Sequence, residues 1–310
     1  MPYSARMQKN HLYSIFFSPR GNVRMADLGM QIAQQYLSPF DRLIGLIGSA
    51  GSGKSMLIRG MFPGLELTND DSGVNVRPLP LLNIDDSGFY TAHTYHVDVR
   101  FEMGFTQLHE LAYAVNEAIN MGKRVVVEHF DILYPILKRN AHLLIGVGEE
   151  IIITRPTIFG PIPDEISKIV FSSIDFRLRT HTAEDLCEYC LEQQGIDENS
   201  FEHDDVRHGF ILSFEQAPKL DFERLNRDME QLIAEDLPIS YCDENNIYIG
   251  DRKHHCTGPR MHITNTGLLK KVTFVPRLLI EPITNFRLLV GIVGDLSEEH
   301  TDMLNTIKIM

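Results

Sequence analysis

The chain has 310 residues, 43% of them hydrophobic and 23% charged, which suits two domains of ~150 residues with packed cores and excludes collagen, disordered tails and miniature disulfide scaffolds. No apolar run reaches the ~18 residues that span a bilayer, and no secretory apolar stretch accompanies the N-terminal MPYSARMQKNHLYS, so the sequence reads as cytoplasmic with no membrane attachment. A net charge of −13 argues against adhesion to DNA, although Glu184 to Asn245 holds 18 acids and 4 bases while Asp251 to Val290 holds 7 bases and 2 acids.

From Met25 the apolar positions Leu28, Ile32, Ala33, Tyr36 and Leu37 recur at helical spacing until Pro39. LIGLIG, Leu43 to Gly48, has the texture of a strand buried on both faces, and a helix from Lys54 to about Met61 follows it. Strand-like runs recur at Thr94 to Val99, Arg124 to Phe130 and Glu150 to Arg155, with a helix from about Phe105 to Met121 between the first two. This alternation predicts an α/β domain with a mainly parallel sheet.

After Pro161 and Pro163 the texture changes, and the boundary is placed near Ser172, dividing the chain into residues 1–172 and 173–310. Ile174 to Thr180 shows strand alternation, and Ala183 to Gln194 reads as a helix ended by Gly195. A second helix, Asp221 to Glu235, would bury Phe222, Leu225, Met229, Leu232 and Ile233 before Pro238 stops it. Short strands around Ile247 to Ile249 and Lys271 to Val275, the strand-like run Arg287 to Val293 and a short C-terminal helix complete an α+β half. Of the four cysteines, Cys187 and Cys190 form C-x-x-C inside a helical pattern and read as core residues. Cys242 and Cys256 complete a set too sparse for a disulfide framework, which agrees with a reducing compartment.

Gly48-Ser49-Ala50-Gly51-Ser52-Gly53-Lys54-Ser55 satisfies G-x-x-x-x-G-K-[ST] between an apolar strand and a helix. Such a loop curls backbone N–H groups around phosphate oxygens, sends its lysine to the β and γ phosphates of ATP and offers its hydroxyl to Mg²⁺. The metal also needs a carboxylate at a neighbouring strand end. Glu128, behind three valines, is the first candidate; Asp98 is the second and Asp131 a reserve. Asp70 and Asp71 read as a turn.

The run MADLGMQIAQQYL, then LIGLIGSAGSGKSMLIRG, YHVDVR and VVVEHFDIL, resembles the TsaE-type ATPases of tRNA threonylcarbamoyladenosine synthesis over roughly residues 24 to 137. The resemblance implies that Lys54 and Ser55 bind phosphate and Mg²⁺ and that Asp98 and Glu128 serve the metal and the attacking water. His129 stands where that family has an aromatic residue, and Ser49 where it usually has Asp.

A second constellation begins with His181 and Asp185, four residues apart at a predicted helix start and so on one face. Cys256 and His262 follow much later, and the four together form a chemically reasonable set for Zn²⁺. RTHTAEDL and YIGDRKHHCTGPRMHITNTGLLKKVTF resemble segments of the second additional, or editing, domain of threonyl- and alanyl-tRNA synthetases and free-standing alanyl-tRNA editing proteins, over about residues 174 to 278. The resemblance implies hydrolysis or recognition of an aminoacyl ester. Asp185 replaces the family's second histidine, and two extra residues separate Cys256 from His262. His254 and His255 are alternative ligands, and Arg252, Lys253, Arg260, Lys270 and Lys271 give a basic border suited to a tRNA acceptor end. The sequence therefore points to a P-loop ATPase joined to an aminoacyl-tRNA editing-like module. The alternatives are a small-molecule or nucleoside kinase and a non-enzymatic, nucleotide-gated tRNA-binding regulator.

Overall fold

The computed structural model describes residues 12–68, 79–82, 92–294 and 304–305; Asp70, Asp71 and most of the C-terminal tail, where a short helix is expected, lie outside them. The chain divides into two compact units, one holding the residues up to Ser18 with Asn22–Ser173, the other Pro19–Gly21 with the chain from Ile174 onward. Among the described residues no helix is long and apolar enough to cross a membrane.

The first unit runs β1 (Tyr13–Phe17), α1 (Asn22–Tyr36), β2 (Leu43–Ile47), α2 (Lys54–Met61), β3 (Thr94–Asp98), the single turn α3 (Val99–Glu102), α4 (Leu108–Asn120), β4 (Arg124–Glu128), α5 (Phe130–Leu137), β5 (Leu143–Val147) and β6 (Glu150–Thr154). Its six strands form one sheet in the order β1-β6-β5-β2-β4-β3. β2 pairs parallel with β4 and β5, and β3 with β4. The sheet is mixed where the sequence predicts a mainly parallel one, because only Gly148 and Glu149 separate β5 from β6. That connection is a hairpin, too short for a crossover, so β6 runs antiparallel to β5 and β1 antiparallel to β6.

Alternation along the central strands fills both faces of this sheet. Leu43, Ile47, Val125, Val127 and Leu144 pack with α4, α5 and Ile166, while Ile44, Leu46, Val126, Leu143 and Ile145 pack with α1 and α2. β3 and β4 end earlier than the sequence suggests. Val99 already begins a helical turn, and His129 takes a left-handed backbone (φ 57°) that swings the chain from β4 into α5.

The second unit corrects the sequence reading most. Ile174 to Thr180 is not a strand but part of α6 (Pro163–Glu192), a 30-residue helix that begins in the first unit and ends in the second. Glu165 accepts from the Ile162 N–H at its start, and no glycine or proline interrupts it after Pro163. The apolar alternation misleads because the buried positions of this stretch are polar: Arg177, Thr180, His181, Glu184 and Asp185 recur at helical spacing. His181 and Asp185 consequently sit inside a helix, not at its start.

Beyond α6 come β7 (Phe201–Val206), β8 (Gly209–Phe214), α7 (Phe222–Ala234), β9 (Ile239–Asp243), β10 (Asn246–Ile249), β11 (Arg252–His255), β12 (Val272–Phe274), β13 (Leu279–Ile280) and β14 (Arg287–Val293). β9 to β11 form a three-stranded antiparallel sheet; β12, β14, β8 and β7 form a second, with β13 on β14. Leu225, Met229 and Leu232 of α7 join Cys187, Cys190 and Leu191 of α6 in the core. The C-x-x-C pair is thus interior packing.

In the first unit α1 and α2 cross at near backbone contact: a Cβ on Gly60 would meet Ala26 O, and one on Gly29 would meet Leu57 O. Alanine gains ~1 kcal/mol of helix propensity over glycine, but forced separation of packed elements costs ~1–3 kcal/mol. Gly60→Ala is therefore expected to lower stability, read as a lower urea midpoint.

Candidate functional site

The loop Gly48–Ser55 leaves the carboxyl end of β2 and enters α2. Gly53, immediately before α2, has φ 88°, a conformation that a side chain would strain. Lys54 is buried, and its Nζ donates to Ser49 O at 2.8 Å, folding the ammonium back over the loop. Ser55 Oγ donates to Glu128 Oε1 at 3.1 Å, and Lys54 Nζ lies 3.7 Å from Glu128 Oε2. The structure thus brings together Lys54, Ser55 and Glu128. Asp98 lies alongside, its residue paired with Glu128 across the parallel β3–β4 ladder, and its Oδ1 caps α3 by accepting from Phe101 N–H.

The sequence reading missed His96. Its Nε2 lies 3.1 Å from Glu128 Oε1, and its Nδ1 faces the Thr68 backbone N–H at 3.0 Å. Because Nδ1 must accept from that N–H, the ring hydrogen sits on Nε2 and is donated to Glu128. The available signal was strand period: His96 precedes Asp98 by two residues and shares its face.

These contacts decide the protonation states. Burial opposes ionisation of Glu128, but the hydrogen bond and field of His96, then Lys54 and Ser55, hold its pKa below the usual carboxylate value. Asp98 is pushed the other way, by burial and then by the charge of Glu128. Asp131, in the first turn of α5, is also raised by burial. Burial, then Lys54, lowers the His129 ring to about 4.

In the second unit, donor atoms of His181, Asp185, Cys256 and His262 all lie within 4.8 Å of one another. Cys256 Sγ is 3.2 Å from His262 Nε2 and 3.4 Å from His181 Nε2, and His262 Nε2 is 3.6 Å from Asp185 Oδ2. Tetrahedral zinc with bonds of ~2.0–2.3 Å needs donors about 3.3–3.8 Å apart, close to the three distances from Cys256 to each histidine and from His262 to Asp185. Asp185 Oδ2 is buried without a hydrogen-bond partner, an oxygen whose lone pairs suit a cation.

Thr182 settles which nitrogen of His262 is available. Its hydroxyl donates to Leu178 O at 3.0 Å and accepts from Ile263 N–H at 3.2 Å, so toward His262 Nδ1, 3.3 Å away, it can only accept. The proton is on Nδ1, and Nε2 keeps its lone pair toward Cys256 and Asp185. Burial, then His181, lowers His262 to about 3. Burial, then the Asp185 charge, pushes the Cys256 thiol well up.

Neither His254 nor His255 joins this group. His254 is buried, its Nε2 without a hydrogen-bond partner, and His255 is exposed with Nδ1 3.8 Å from Glu198. The basic border is partly engaged already: Arg252 hydrogen-bonds the Tyr189 hydroxyl, Lys253 lies 3.0 Å from Asp243 Oδ2, and Arg260 sits over the Tyr241 ring. Lys270 and Lys271 are exposed.

No family model matches the sequence. No curated protein matches it either. A solved structure of ornithine aminotransferase from Toxoplasma gondii ME49 is similar at 10% identity over 84% of this chain and 70% of that one, with a TM-score of 0.24, and at that score the likeness carries no argument.

His129 yields a pH test. The folded ring stays neutral down to about 4, whereas the unfolded ring protonates from 6.5, so between those values the unfolded chain binds more protons and stability falls as pH falls. Chemical unfolding followed across this window is expected to show a shallower loss in His129→Gln than in the wild type.

Proposed function

We propose that the chain binds a magnesium–nucleoside triphosphate, ATP by resemblance, at Gly48–Ser55 and hydrolyses it, and that its second unit is a zinc-holding module recognising an aminoacyl ester such as the acceptor end of an aminoacyl-tRNA. The observation that carries the nucleotide half is the meeting of a cation, a hydroxyl and a carboxylate at the mouth of a glycine loop: Lys54, Ser55 and Glu128. Lys54 would exchange the Ser49 carbonyl for phosphate oxygens, and Ser55 and Glu128 would hold Mg²⁺. Magnesium, when bound, neutralises charge on the phosphoryl group being transferred. Glu128, ionised and fixed by His96, is also suited to orient water, with Asp98 as the second carboxylate.

His181, Asp185, Cys256 and His262 support the second half, together with the resemblance of their flanking segments to synthetase editing domains. Zinc, when bound, would hold these four side chains and the segments that carry them in one fixed geometry. Four protein donors close a tetrahedral shell, as in structural zinc sites, which favours recognition over hydrolysis.

ATP turnover with Mg²⁺ is expected to fall roughly 100-fold or more in Lys54→Ala and in Glu128→Gln, with nucleotide binding weakened in the first and retained in the second. ATP consumption that requires an added small-molecule acceptor would move the reading to a kinase. Seryl-, alanyl- and threonyl-tRNAs tested in parallel are expected to show binding of at least one, reduced when zinc is stripped. Binding of none would overturn the ester half.

A further inference from the structure

We infer that Arg20 is a positioning residue for the zinc-holding group: it fixes Glu184 against His181, so the metal affinity of the second unit depends on a side chain from the segment between β1 and α1. This rests on the zinc reading above. The segment Pro19–Gly21 groups with the second unit, although the elements on both sides of it belong to the first.

Arg20 is 5% exposed and grips both oxygens of Glu184, Nε donating to Oε2 at 2.7 Å and Nη2 to Oε1 at 3.2 Å. The guanidinium is anchored from its other side by Asp205 Oδ1 at 2.9 Å from Nη1 and by the carbonyls of Asp204 and Gly209. A planar fork held this way sets both the position and the plane of the Glu184 carboxylate, which a lysine cannot do.

Glu184 faces His181. Its Oε2 lies 3.5 Å from His181 Nδ1, and its Oε1 lies 3.2 Å from His203 Nδ1. A metal-ligating histidine hands its other ring N–H to a carboxylate, which fixes the tautomer and strengthens the ligand. For His181 the carboxylate nearest Nδ1 is Glu184, at 3.5 Å without a formed hydrogen bond, while Nε2 faces the Gly258 carbonyl at 3.2 Å; a metal at Nε2, on the Cys256 side, would therefore require the ring proton on Nδ1, toward Glu184.

The same segment reaches the other side of the imidazole through its backbone. A Cβ on Gly258 would meet Arg20 O and lie 3.0 Å from His181 Nε2, and Gly258 O is 3.2 Å from that nitrogen. The backbone of Arg20 thus bounds the turn that lies against Nε2, while its side chain orders the acceptor at Nδ1.

The test measures zinc affinity by competition with a chromophoric chelator, cobalt absorption of the substituted protein, and the Tm of the metal-free protein, all on the full chain. Arg20→Lys and Glu184→Gln are each expected to weaken zinc binding ~10–100-fold and to alter the cobalt spectrum. The two together are expected to weaken it no further than Glu184→Gln alone, because Arg20 acts through Glu184. If Arg20→Lys fails to fold, the pair Arg20→Gln with Glu184→Gln leaves no charge unpaired at position 184 and is expected to match Glu184→Gln. A lower Tm with wild-type zinc affinity in the Arg20 variants, or losses that simply add, would reduce Arg20 to a structural ion pair and overturn the inference. A wild-type chain taking up neither zinc nor cobalt overturns the metal reading itself, a result distinct from either.

Discussion

A carboxylate sealed from water must be met by positive charge or by hydrogen-bond donors, because removing an ion from solvent costs several kcal/mol that only such partners offset. Each unit of this protein is organised around one such group, Glu128 in the first and Glu184 in the second, both 2% exposed. Glu128 collects Lys54, Ser55 and His96, and His96 is in turn oriented by the Thr68 backbone. Glu184 collects Arg20 and His203 and faces His181. In both places the neighbouring polar side chains are held by the need to satisfy a buried acid.

Around Glu128 that demand separates two neighbouring carboxylates. Asp98 and Glu128 are paired residues on parallel strands, yet one is raised and the other lowered. The asymmetry has a local cause: Ser55, Lys54 and His96 all favour ionised Glu128, whereas Asp98 receives one backbone hydrogen bond and feels the Glu128 charge. Environments that push two acids apart suit one to hold a cation or water as an anion and the other to take a proton more readily than its neighbour.

What could be read from the sequence follows from how local each signal is. The glycine loop, the flanking strand β2 and the helices α1, α2, α4 and α7 announce themselves within a dozen residues, through glycine spacing or apolar period. Arg287–Val293 is legible as a strand for the same reason. The acidic strand β7, with glutamate, histidine and aspartates between Phe201 and Val206, lacks an apolar face long enough to register, and β1, apolar at Tyr13, Ile15, Phe16 and Phe17, spans only five residues. α6 misleads in a more instructive way, since the rule that apolar residues face inward fails where the interior contains Arg177, Thr180, His181 and Glu184. The four donors of the second site are visible as residue types, but the network behind them is not. Arg20 precedes Glu184 by 164 positions, and nothing local marks it as a partner.

The donor set of the second unit has an electrostatic logic that follows from burial on α6. Burial, then Asp185, raises the thiol of Cys256, and burial with His181 keeps His262 neutral to about 3, so its lone pair is available at neutral pH. A divalent cation, if bound as proposed, would stabilise a thiolate, take the imidazole lone pairs and pair the buried Asp185 oxygen that has no hydrogen-bond donor. Asp185 in place of a histidine adds a negative charge to such a group, so a complex with a divalent ion would be more nearly neutral than one with three histidines and one thiolate. That neutrality would suit a tightly held, buried ion better than one that must expose an open position to solvent and repeatedly activate water, which is why the proposed role is recognition.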